Sequence, residues 1–282
     1  MYLPFFGLNE FPFGITPDTS FLFAAAGHEE ALNTLRLAVS GGEGFVKVTG
    51  EVGTGKTLLC RRFLASLGAE TVTAYLPNPM LEPRTLLLAI AEELNIPLEK
   101  YDYQFHLLKY FNQALMQSAA EGKRVLVCID EAQAMPLDTL ESLRLLSNLE
   151  TEKRKLMQVV MFGQPELDVK LADPAVRQLR QRIGFEYRLR GLDRREVEHY
   201  VAHRLRVAGH RGTSPVFSAA ALRALHSASG GTPRVVNILA HKSLLSAFGE
   251  GKEQVGLRHA MQAVRDSAGI VKPLGGWWRL AA

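Results

Sequence analysis

Gly50-Glu51-Val52-Gly53-Thr54-Gly55-Lys56-Thr57 reads G-x-x-x-x-G-K-T and directly follows Phe45-Val46-Lys47-Val48-Thr49, an apolar run that predicts a buried strand. Glycines at these spacings let successive backbone N–H groups turn inward on an anion, and Lys56 reaches the outer phosphates of a nucleotide. The cradle runs from Gly50 to Leu58, where a helix predicted to Leu67 points its positive end at the same anion. Thr57 offers a hydroxyl to Mg²⁺. A strand, a phosphate-binding turn and a helix in that order call for a sheet with helices packed on it.

Four further apolar stretches predict strands: 71–76, 125–129, 158–162 and 185–189. Between them lie amphipathic segments, such as Leu86, Leu87, Ile90, Ala91 and Leu94 at helical spacing and leucines every third residue from Leu137 to Leu149. Strands alternating with helices imply a parallel sheet covered on both faces, here an α/β domain of five strands over residues 1–192. After Leu192 the strand signal stops. Helical runs at 194–208, 218–228, 234–248 and 257–268, punctuated by Gly-rich turns, predict a small all-helical domain over 193–268 with a tail at 269–282.

Arg124-Val125-Leu126-Val127-Cys128-Ile129-Asp130-Glu131 is an apolar strand ending in two acids, which delivers both carboxylates to the sheet edge where α/β folds bind ligands. Asp130 would hold Mg²⁺ through water, and Glu131 would orient and polarise an attacking water. The strand at 158–162 leads into Gly163-Gln164-Pro165-Glu166; Gln164 is a candidate contact to the γ-phosphate and the water, and a plain turn residue explains the same position. Arg177, Arg180 and Arg182 cluster before the last strand. They read either as a solvated helix end or as an arginine finger given to a neighbouring subunit, with Arg182 ahead of Arg180. Arg234 stands in the first turn of a helix, where the dipole disfavours a cation; a phosphate or a local acid would compensate it.

Phosphate loop, Asp-Glu strand, polar strand tip, arginine pair and lid arginine, in that order over residues 45–234, resemble an AAA+ ATPase. Within that superfamily, Phe11-Pro12-Phe13-Gly14-Ile15-Thr16-Pro17-Asp18, His28, Asp130-Glu131-Ala132-Gln133, the stretch Leu143 to Thr151, Gly163-Gln164-Pro165-Glu166-Leu167 and Leu179-Arg180-Gln181-Arg182-Ile183 are similar to the ATPases of type II secretion and MSHA-type IV pilus biogenesis. The resemblance implies an ATP- and Mg²⁺-dependent ATPase, a homo-oligomer acting through a trans arginine finger, and assembly partners among inner-membrane pilus or secretion proteins. It implies an N-terminal segment near the adenine, with Phe13, Ile15 and His28 as base contacts; the alternative is that Phe5, Phe6, Phe11 and Phe13 cap a core. The secretion A protein continues into a membrane helix and a peptidoglycan-binding part, whereas this chain stops at Ala282, so the shorter pilus-type ATPase is the expected closer match.

Composition trims the alternatives. The formal charge of +4 is spread along the chain and 8% of residues are aromatic, which argues against DNA as a partner; a DNA-binding ATPase of the transposition-regulator type remains the competing reading. One phosphate loop in 282 residues leaves no room for the second motor domain of a helicase. Cys60 and Cys128 are expected to be buried, reduced thiols. With Arg36 the first basic residue and no run of 18 apolar residues, neither a signal peptide nor a membrane span is expected, and the reading is cytoplasmic, at most peripheral to the inner membrane. Trp277-Trp278 in the tail leave three docking destinations open: the chain itself, a partner, or lipid.

Overall fold

Five parallel strands form one sheet in the order β2-β3-β4-β1-β5 in the computed structural model, which describes residues 2–16, 18–98, 104–146, 155–267 and 269. The strands are β1 (Phe45–Gly50), β2 (Thr71–Leu76), β3 (Arg124–Ile129), β4 (Met157–Gly163) and β5 (Ile183–Leu189). Every residue of β1 and β4 is buried, as parallel strands with helices on both faces require. All five lie where the apolar runs place them. The chain forms two compact units: one from residues 28–50 and 59–189, the other from residues 1–27, 51–58 and the chain from 190 on.

In the sheet unit, side chains alternate between two cores with the strand period of two. Phe45, Val125, Val127, Val159 and Met161 enter one core, beneath α3 (Pro83–Glu93), α4 (Gln104–Ala120) and α5 (Leu137–Leu146). Val46, Val48, Leu126, Cys128, Val160 and Phe162 enter the other, beneath α1 (Ala26–Ser40) and α2 (Lys56–Ala65). Helix α4 goes beyond the sequence reading, although Leu107, Phe111 and Leu115 recur every four residues and are fully buried. Two polar side chains in the sheet are compensated. The Gln158 carboxamide donates to the carbonyls of Val39 (3.1 Å) and Glu43 (2.8 Å), and Lys47 pairs with Asp168 (2.6 Å) and Glu186 (3.1 Å). β5 is the exception to two-sided coverage: Gly184, Phe185 and Glu186 are exposed on this edge strand. The short helices α6 (Glu166–Leu171) and α7 (Arg177–Arg180) lie between β4 and β5.

The second unit contains α8 (Arg194–Val207), α9 (Ala219–Ser229), α10 (Pro233–Gly249) and α11 (Leu257–Arg265). Asp193 caps α8 through a reciprocal pair with Glu196, each backbone N–H donating to the other's carboxylate at 2.8 Å. The N-terminal segment divides from the sheet differently than a boundary at 192 implies. Phe6, Leu8, Phe13 and Phe21 share the buried core of these helices, so residues 1–27 group with them. Arg204 locks the segment: Nε donates to the Pro12 carbonyl, Nη1 to the Tyr200 hydroxyl at 2.9 Å, and the guanidinium sits 4.6 Å above the Phe21 ring. Tyr200 then donates to Asn237 (2.8 Å), whose amide donates to the Gly14 carbonyl (2.8 Å). The Trp277-Trp278 tail and residues 147–154 lie outside the described residues.

Arg204→Ala should remove a donor from the buried Pro12 carbonyl and lower stability by about 1–3 kcal/mol. The expected readout is a lower urea midpoint at unchanged slope, with faster proteolysis before residue 20; an unmoved midpoint counts against the lock.

Candidate functional site

The phosphate loop folds on one carbonyl. Thr54 donates to the Glu51 oxygen through its backbone N–H (3.3 Å) and its hydroxyl (2.8 Å), and Lys56 Nζ reaches the same oxygen at 3.1 Å. Gly53 and Gly55 stand at φ +80° and +96°, a region that side chains disfavour. Gly53 is also crowded: a Cβ there would lie 2.5 Å from Arg234 Cβ, and the Arg234 N–H donates to the Gly53 carbonyl at 3.2 Å. The first turn of α10 is thus seated on the loop, with no acid in that turn. Of the two compensations expected for Arg234, a local acid is absent from its own helix start, and the phosphate loop is what it faces.

The adenine-side expectation divides. Phe13 is 3% exposed and packs edge-on against Phe217 at 6.0 Å, as a core residue does. Ile15 is 57% exposed, and His28 is half-buried in the sheet unit.

At the carboxyl edge of the sheet, β3 ends at Ile129 and leads into Asp130, and β4, its neighbour, ends in Gly163. Asp130 is buried, accepts the Glu131 N–H at 2.9 Å on one oxygen, and has the Tyr75 hydroxyl 3.4 Å from the other. Burial first and the Asp130 carboxylate second push the Tyr75 phenol up to about 12, so it stays protonated and donates to Asp130. Glu131 adopts the left-handed backbone (φ 51°, ψ 38°), a strained conformation for a residue with a Cβ. Its Oε2 accepts from Gln133 Nε2 (2.5 Å) and Gln164 Nε2 (3.0 Å). Gln164 therefore sits at the predicted strand tip and touches Glu131. Gln133 is the residue that sequence reasoning missed as a site group: only its place two residues after Glu131 hinted at it. Beneath these acids, a hydrogen bond with Cys128 and burial push the Cys60 thiol well up, which keeps it an inert buried thiol.

These residues fit a nucleotide phosphate and its cation. The loop has a cradle that a Cβ at Gly53 would fill, and Lys56 is its cation. Among the described residues no cluster of three or more His, Cys, Asp or Glu could cage a metal, so Mg²⁺ would be held by Thr57 or Asp130 together with phosphate oxygens, as that ion prefers.

An AAA domain family matches residues 39–171. The general secretion pathway protein A of Aeromonas hydrophila is 41% identical over 295 residues, covering 99% of this chain and 54% of that protein. The chain belongs to the AAA+ ATPases of this secretion A family. It spans about half the length of that relative. Among solved structures, the Aeropyrum pernix ORC2 protein in ADPNP–ADP complexes superposes with a TM-score of 0.60 at 17% identity, over 89% of this chain and 72% of that one. Cdc6p of Pyrobaculum aerophilum gives 0.64 at 16% identity, over 89% and 71%. At such identities the likeness concerns the fold, and it agrees with a five-stranded parallel AAA+ sheet followed by helices.

In this AAA+ chain Arg177, Arg180 and Arg182 are exposed, and Arg182 reaches the Arg144 carbonyl at 3.5 Å. They stand at the start of the exposed edge strand β5. No described helix is long and apolar enough to cross a membrane.

Gly53→Ala should be disproportionately damaging, because the new methyl meets both a disfavoured φ and the Arg234 stem. A titration with fluorescent ATP analogue is expected to show affinity reduced by at least about tenfold, corresponding to ~1.4 kcal/mol. Parent-like affinity would remove the seating of α10 from the account of the loop.

Proposed function

We propose that this chain binds ATP with Mg²⁺, hydrolyses it, and uses the cycle to assemble a secretion or type IV pilus machine at the inner membrane. The observation that carries the hydrolytic part is the Glu131 carboxylate, held by two amides at the carboxyl end of β3, in a chain whose β1 runs into a phosphate loop. The loop N–H groups and Lys56 bind the phosphates. Glu131 orients water and accepts its proton, and Gln164 holds that acid in place. Thr57 and Asp130 are the candidate holders of Mg²⁺, which when bound neutralises charge developing on the phosphates. Arg182, exposed at the sheet edge with Arg180 beside it, acts in trans on the nucleotide of a second copy. The assembly role rests on the relative's name, general secretion pathway protein A, and on the pilus-ATPase resemblance of the motifs. The protein works in the cytoplasm, peripheral to the membrane.

Lys56→Ala is expected to lose nucleotide binding, whereas Glu131→Gln should bind ATP normally and release phosphate only at a small residual rate; hydrolysis by Glu131→Gln at the parent rate would falsify the catalytic assignment. Specific activity should also rise with protein concentration, since a finger in trans supplies ~10³ to 10⁵ in rate. Arg182→Ala should bind ATP yet hydrolyse poorly, and recover when mixed with Lys56→Ala, which brings an intact finger to the ATP-holding subunit. Full activity of Arg182→Ala at every dilution would dismiss the trans finger.

A further inference from the structure

Three side chains close a ring at the tips of two neighbouring strands. Gln133 Nε2 donates to Glu131 Oε2 at 2.5 Å, Gln133 Oε1 accepts the Gln164 backbone N–H at 2.9 Å, and Gln164 Nε2 donates to the same Glu131 oxygen at 3.0 Å. The amide of Gln133 has one orientation that satisfies both ends, because its oxygen must face the backbone donor and its nitrogen the carboxylate. Gly163 makes room for it: a Cβ there would lie 3.3 Å from Gln133 Oε1 and 2.7 Å from the Leu167 side chain.

We infer that Gln133 is a positioning residue for ATP hydrolysis, fixing the Glu131 carboxylate so that it meets the attacking water in one orientation. This rests on the reading of Glu131 as the water-orienting acid. Three observations support a positioning role over a simple tie between loops. The ring converges on a single oxygen of the acid, so two neutral donors fill the lone pairs of Oε2 and fix the rotation of the carboxylate. The donors are carboxamides; a Lys or Arg at this place would hold the acid equally well but would depress its basicity by direct charge pairing. Glu131 itself stands in a strained backbone conformation, and a strained residue keeps its side-chain direction only where its surroundings over-determine it. Asparagine at 133 would be one methylene too short to span Glu131 and the Gln164 N–H together. The length of glutamine is what the ring uses.

A double-mutant cycle on the full chain tests this, with turnover measured at saturating MgATP and affinity measured with a fluorescent ATP analogue. Gln133→Ala is expected to lower kcat about ten- to hundredfold, the cost of a misplaced reacting group, with nucleotide Kd unmoved. Because Gln133 acts through Glu131, adding Gln133→Ala to Glu131→Gln should lower the residual rate no further. The near-isosteric Gln133→Met keeps the volume and should behave as Gln133→Ala if the alanine protein folds poorly. Parent-like or faster turnover in both variants overturns the proposal, as does a further full-sized loss in the double mutant, which would mark an effect independent of the acid. Parent-like turnover in Glu131→Gln alone would instead overturn the assignment of Glu131.

Discussion

Parallel pairing of β1 with β4 on one side and β5 on the other constrains everything else in the sheet unit. A strand whose six residues are all buried must place every backbone N–H and C=O in the ladder, so it is free to change direction only at its ends. Its carboxyl end at Gly50 opens the phosphate loop, and β3 and β4 end on the same edge at Ile129, just before Asp130, and at Gly163. A parallel arrangement thus gathers the carboxyl ends of strands far apart in sequence. The cost of the arrangement is visible at Lys47, a buried cation in the middle of β1 that is tolerated because Asp168 and Glu186 flank it.

The helical unit follows a different logic, in which the N-terminal segment is part of the core. Phe6, Leu8, Phe13 and Phe21 supply apolar surface that α8, α9 and α10 need covered, and the carbonyls of Pro12 and Gly14 find donors in Arg204 and Asn237. Arg204 is a buried cation whose described partners are a carbonyl, a phenol and an aromatic face, a set suited to the flat, weakly hydrated guanidinium. The same helix that receives Gly14 through Asn237 begins at the phosphate loop through Arg234. One element, α10, therefore touches both the nucleotide cradle and the N-terminal segment.

Around Glu131 the structure spends backbone strain and three hydrogen bonds on the direction of one carboxylate. A surface turn that served only to leave the strand would relax to an ordinary conformation or carry glycine at the left-handed position. Here a glutamate stands at that position instead, with two amides as its partners.

Much of this was legible in the chain alone, because its signals are local. Strand runs at 45–49 and 125–129 are short-range patterns of apolar side chains, and the glycines at 53 and 55 announce the backbone geometry they permit. So were the phosphate loop, the acids after β3 and the helices after Leu192. Three things depended on contacts between distant residues. Gln133 becomes a site residue only when Gln164, 31 positions away, places its N–H against it. Phe13 becomes a core residue because Phe217 closes over it, and Arg234 meets Gly53 from a distant part of the chain. Periodicity and motif spacing report what a residue does to its own backbone. Which oxygen it holds, and which ring covers it, is decided only when the sheet and the helices bring remote segments within hydrogen-bonding reach.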